Sequence, residues 1–180
     1  QSVSAAEIDK FIANTYLWYL KGLVGNEPRP EFKAAMAKFK AKNYPYFDEY
    51  AMFYSVYETF DSKGSVGVKE YMNRGTAFLA KYGKNNDAYT IALTGLLGNC
   101  IGRKDEGIAG IKWMEDLLER NRDPRYLNTY FYILWRNYSL DKAILVGNEI
   151  RDNVAKAGMS TKNIDGQIEM VKGLIGKEKI

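Results

Sequence analysis

Asn86-Asp87-Ala88-Tyr89-Thr90-Ile91-Ala92-Leu93-Thr94-Gly95, followed by Gly102-Arg103-Lys104-Asp105-Glu106-Gly107-Ile108 and then Leu117-Leu118, is the stretch that decides the fold. Gly83, Asn85 and Asn86 mark a turn, after which apolar residues keep helical spacing from Asp87 to Ile101. Gly102 closes that segment, and a second helix is predicted over Asp105 to Arg120. Two helices joined by so short a break pack antiparallel. Ala35, Tyr71, Gly107 and Ala143 fall at equal steps of 36 residues, each near the opening of an amphipathic segment. A period in this range belongs to stacked helical hairpins.

The rest of the chain reads in the same way, with almost no competing strand pattern. Ser4 and Glu7 form a capping box at the start of a first helix near 5–24, whose face carries Ile8, Phe11, Ile12, Tyr16, Tyr19, Leu20 and Leu23. Pro28 and Pro30 break the chain and start a second helix near 31–42. Pro45 opens a strongly aromatic third helix with Tyr46, Phe47, Tyr50, Phe53, Tyr54, Tyr57 and Phe60, and Gly64 ends it. Val66 to Tyr82 makes the fourth. Asp123-Pro124 opens the seventh, which runs to Tyr138; Asp141 opens the eighth, which ends at Gly158; Ser160 caps a ninth through Ile175. The expectation is one all-α domain of about nine helices. Four antiparallel hairpins, near 5–42, 46–83, 87–120 and 125–157, are followed by a capping helix at 161–175.

The hairpin from Asn86 to Leu118 resembles a tetratricopeptide repeat. Such repeats carry a small residue in each helix where the two backbones cross, and Gly95 and Gly107 match those places. In the next unit Ala143-Ile144 follows the pattern, but Phe131 stands where the first helix should have its small residue. The units at 5–42 and 46–83 depart further, with Tyr71 in a small-residue position, and share only the period and the alternation of helices. The resemblance implies a right-handed α-solenoid whose concave face, made by the first helix of each pair, holds a peptide or protein.

Composition narrows the chemistry. An apolar fraction of 46% with 27% charge lies far from the regime of disorder, and 180 residues suffice for one well-buried domain. Histidine is absent, which removes the commonest general base and metal ligand and makes Ser-His and Cys-His nucleophile pairs impossible. The single cysteine, Cys100, reads as a small buried hydrophobe and excludes an internal disulfide. The glycine clusters at 64–67, 95–98 and 107–110 follow no strand and lack the Lys-Ser or Lys-Thr of a phosphate loop. No cofactor or metal is expected. The net charge of +4 is spread among interspersed acids and bases, and Lys33, Lys38, Lys40 and Lys42 do not share a helix face, so no nucleic-acid partner is expected. The most apolar stretch, Ile91 to Ile101, is too short to span a bilayer. The Gln1 start resembles a mature end after signal-peptide removal, which favours export over a cytoplasmic location.

The first helices of the hairpins carry more aromatics than a two-layer helix stack needs. The groove candidates are Phe53, Val56, Phe60, Tyr89, Ala92, Leu96, Arg125, Asn128, Tyr132 and Trp135, with core packing as the alternative for each aromatic. The function expected is a non-enzymatic adaptor that holds a protein or peptide. Two other classes stay open: an inhibitor or immunity-type protein with one cognate partner, and a small-ligand carrier or carboxylate enzyme. For the last, Glu115 with Glu119 and Glu58 with Asp61 lie one turn apart, although such pairs usually make a solvated helix face.

Overall fold

The computed structural model describes residues 3–9, 11–12, 15, 30–41, 47–57, 59–60, 65–98 and 107–177. Among them the ordered elements are all helical, with no strand. Most of the expected first helix, Pro45, the Gly64 cap, the Glu58–Asp61 pair, and Cys100 with the turn at Gly102 lie outside the described residues. The chain forms two compact units, residues 1–82 and 83–180.

In the first unit, Ser4 and Glu7 make the expected capping box. The Glu7 carboxylate accepts from the Ser4 backbone N–H at 2.8 Å and from its hydroxyl at 2.7 Å, and the Glu7 backbone N–H donates back to the hydroxyl at 3.3 Å. These bonds hold the Glu7 carboxyl below its ordinary range. Helix α1 spans Pro30–Ala41, α2 Phe47–Tyr57 and α3 Ser65–Tyr82; α2 packs on both of the others. Proline at the first position of α1 loses no helical hydrogen bond, because that N–H has no partner within a helix. On α3 the buried residues Val68, Tyr71 and Phe78 recur at helical spacing, and Tyr50, Phe53, Tyr54, Val56 and Tyr57 are buried on α2, which packs against it. The rings meet edge-on: Phe53 lies 5.1 Å from Tyr54 and 5.8 Å from Phe78, and Phe60 lies 5.1 Å from Tyr71. Burial pushes the Tyr57 phenol up to about 12.

The second unit holds α4 (Asp87–Leu97), α5 (Ile108–Arg120), a single 3-10 turn (Pro124–Tyr126), α6 (Leu127–Arg136), α7 (Leu140–Lys156) and α8 (Lys162–Lys172). Asn86 caps α4 by accepting from the Ala88 N–H at 3.0 Å. Helices α4 and α5 pack as one pair and α6 and α7 as the next; α6 also touches α4 and α5, and α8 lies on α7. The expected seventh helix therefore begins as a 3-10 turn and stops two residues early. Its chain reverses at Tyr138, which adopts φ 58° while the Ser139 N–H donates to Leu134 O at 3.0 Å. The same closing bond ends α7 at Gly158, where φ is 71° and glycine carries no Cβ penalty.

All four residues of the 36-residue step are buried: Ala35, Tyr71 and Ala143 in helix interiors, Gly107 just before α5. The glycines at close approaches are not all the expected ones. Among the described residues a Cβ on Gly95 would meet nothing within 4 Å, so Gly95 does not mark a close approach of two described helices. The tight places are Gly98, where a Cβ would lie 2.4 Å from the Tyr132 ring, Gly107 against the Asn137 amide, Gly147 against Ile168 and Phe131, and Gly110 against Ile133 and Leu97. Thr94, fully buried on α4, keeps a hydroxyl with no hydrogen-bond partner among the described residues.

Asp123 heads the 3-10 turn. Its carboxylate accepts from the Arg125 guanidinium and from the Arg125 backbone N–H at 2.9 Å, and these bonds hold its carboxyl at about 2, below the ordinary 3.8. A depressed folded-state value means that the contribution to stability is present above the ordinary carboxylate range and is lost as pH falls through about 2. Carboxyl-detected NMR should place the Asp123 midpoint near 2, and Arg125→Ala should return it toward 3.8. An unchanged midpoint in the variant would show that the guanidinium is not its cause.

Candidate functional site

The predicted groove residues divide between core and surface. Phe53 and Val56 are buried among the aromatics of the first unit, and Tyr89 and Ala92 are buried in the second. Phe60 and Leu96 are half-buried, while Arg125 and Asn128 are exposed. Only Tyr132 and Trp135 come together as an accessible pair, with ring centres 5.7 Å apart. The Arg136 guanidinium lies 5.1 Å from the Tyr132 ring and 4.7 Å from the Trp135 ring, and donates to the Tyr132 hydroxyl at 3.1 and 2.9 Å. Gly98 leaves room for the Tyr132 ring, so the pair is fixed by packing from α4.

A groove of about 390 Å³ opens elsewhere, between α5 and α7, with Tyr130 of α6 at its base. Leu118 and Val146 supply a buried apolar floor, and Leu145, 69% exposed, forms one wall. Two ion pairs cross it. At one end Lys142 donates to Glu115, which also accepts from the Tyr130 hydroxyl at 3.1 Å. At the other, the Arg122 guanidinium meets both oxygens of Glu149, its Nε donating at 2.9 Å. Each guanidinium or ammonium is held more firmly charged by its partner: Glu149 raises Arg122, and Glu115, then Tyr130, raises Lys142. Burial, more than the neighbouring charges, raises the Tyr130 phenol.

Both ion pairs join residues 27 apart in sequence, and their members are seven residues apart on each side: Lys142 and Glu149 along α7, Glu115 on α5 and Arg122 two residues past its end. Equal offsets mean that α5 and α7 run in the same direction and in register, with about 10 Å of helix between the two rungs on α7. The same offset sets Leu118 beside Leu145 and Glu119 beside Val146. Glu119 lines the groove and, among the described residues, makes no hydrogen bond or ion pair of its own.

Sequence reasoning singled out Glu115 and Glu119, and Leu118 only as part of the repeat pattern, but not Arg122, Tyr130, Lys142, Leu145, Val146 or Glu149. Most of these sit on second helices, Tyr130 on the first helix α6 and Arg122 just past the end of α5, and they belong to ordinary amphipathic patterns. The one signal was the repeated opposite charge at an offset of 27, which means nothing until the helix register is known. Among the described residues no group of three or more acidic or cysteine side chains is placed to hold a metal ion, and no helix is long and apolar enough to cross a membrane. No protein-family model, curated protein or solved structure matches the chain.

Proposed function

We propose that the chain is a non-enzymatic binding module, built from helical hairpins of the tetratricopeptide kind, which takes up a segment of a partner protein in the groove between α5 and α7. The observation that carries this reading is the groove itself: open, floored by Leu118 and Val146, walled by an exposed leucine and rimmed by fixed charges. Such a mixture of apolar contact area and a few oriented polar groups is what peptide-holding surfaces use. The parallel run of α5 and α7 with α6 between them supports successive hairpins stacked in one direction, as does the burial of all four residues of the 36-residue step. The absence of histidine supports a role in binding rather than catalysis.

The test is selection from a displayed library of random peptides on the purified chain, followed by calorimetric titration of the selected peptides. Leu145→Arg puts a bulky cation on the wall without touching the core, so it should leave the melting temperature unchanged and weaken groove-bound peptides roughly tenfold or more. Peptides that bind both forms equally, or a library that yields no binders, would remove the groove from consideration.

A further inference from the structure

We infer that the segment held by the groove presents a lysine or arginine, whose alkyl stem lies on Leu145 and Val146 and whose charged head completes the middle rung at Glu119. This rests on the reading of the groove as a peptide site. The rungs between α5 and α7 show what is missing. Glu115 faces Lys142 and Arg122 faces Glu149, so both outer rungs are balanced. In the middle Glu119 has a valine opposite it, and the groove as a whole, with three carboxylates and two cations, carries one uncompensated negative charge. The chain as a whole is positive by +4, so that sign is local to the groove. Lys112, the nearby cation on the same helix, is already bonded to Asp116 and feels Glu119 only through space. An acidic side chain entering here would meet Glu119 with nothing to neutralise it, and a purely apolar one would bury that carboxylate unpaired. A long cationic side chain satisfies both halves of the site, because its methylenes cover the leucines while its head stays at the carboxylate.

The experiment repeats the random-peptide selection on wild type, Glu119→Gln, Glu119→Lys and Leu145→Arg, with Asp116→Asn as a control for net charge. Peptides selected on wild type should be enriched in lysine and arginine and should bind Glu119→Gln roughly fivefold more weakly. They should be unaffected by Asp116→Asn. Selection on Glu119→Lys should turn toward aspartate and glutamate. Melting temperatures should not move for Glu119→Gln, whose side chain is exposed and unbonded. Binders that are lost in Leu145→Arg but show no basic enrichment, or that respond equally to Glu119→Gln and Asp116→Asn, overturn the inference while leaving the peptide site standing. A library without groove-dependent binders overturns both.

Discussion

Phe131→Ala is expected to lower the stability of residues 83–180 by about 4 kcal/mol, in the range of buried phenylalanine truncations. The side chain is 3% exposed on α6 and points at α7, where a Cβ on Gly147 would lie 3.0 Å from its Cε2. Because Gly147 has no side chain to move into the space, the site collapses poorly and the cavity term is paid nearly in full. The converse change, Gly147→Ala, places a methyl 2.8 Å from Ile168 Cγ1 as well as against Phe131. Overpacking outweighs the gain of about 1 kcal/mol in helix propensity, leaving a net loss of about 1 kcal/mol. The two changes should not add. With the ring removed, the new methyl enters vacated space, so the double variant should be more stable than the sum of the single losses by about 1 kcal/mol, limited by the remaining contact with Ile168. Urea unfolding followed by circular dichroism measures all three. Strict additivity would show that Phe131 and Gly147 are not a complementary pair.

That pair also shows where the sequence could and could not be read. Phe131 broke the expected pattern of a small residue at the helix crossing, and from one strand of sequence it looked like a departure. In the structure Phe131 lies against Gly147 of α7, so the room for the large side chain is supplied from across the interface. The helices themselves were legible because their signals are local: the Ser4–Glu7 box, Pro30 at a first turn, Asp123 before Pro124, and Gly158 in a left-handed cap. Gly95 was misplaced for the same reason that the groove was missed. Whether a helical glycine touches a neighbour, or whether Arg122 meets Glu149, depends on the rotation and register of two helices, which spacing within each helix does not encode. The aromatic stripe ran both ways, with Phe53 and Tyr89 in cores and Tyr132 and Trp135 reaching the surface. Aromatic residues serve either place equally well, so their identity alone decides nothing.

Asp87→Ala is expected to cost roughly 2 kcal/mol, although most ion pairs on this surface contribute little. Asp87 sits in the first turn of α4, where a negative charge also suits the helix dipole. One carboxylate oxygen accepts from the Arg120 guanidinium at 2.9 Å; the other accepts from the Asn121 amide at 2.7 Å and the Tyr126 hydroxyl at 3.3 Å. Arg120 donates further to the Gly83 carbonyl at 2.8 Å, so one carboxylate latches the turn before α4 to the end of α5 and to the 3-10 turn. The pair is largely shielded, with Arg120 and Asp87 side chains 30% and 21% exposed, and three donors converge on a single group. Lys112 and Asp116, at 67% and 51%, are the exposed comparison, and Asp116→Ala should cost no more than about 0.5 kcal/mol. A second readout separates lost electrostatics from a general loosening. The Tyr126 phenol is raised first by burial and then by the Asp87 charge, so Asp87→Ala should lower its titration, followed by tyrosinate absorbance, toward the ordinary 10.0 while leaving the part due to burial. A stability loss equal to that of Asp116→Ala would reduce the latch to a surface contact, whereas a full loss with the phenol shifted identifies Asp87 as the group that ties the start of this unit to its second and third helices.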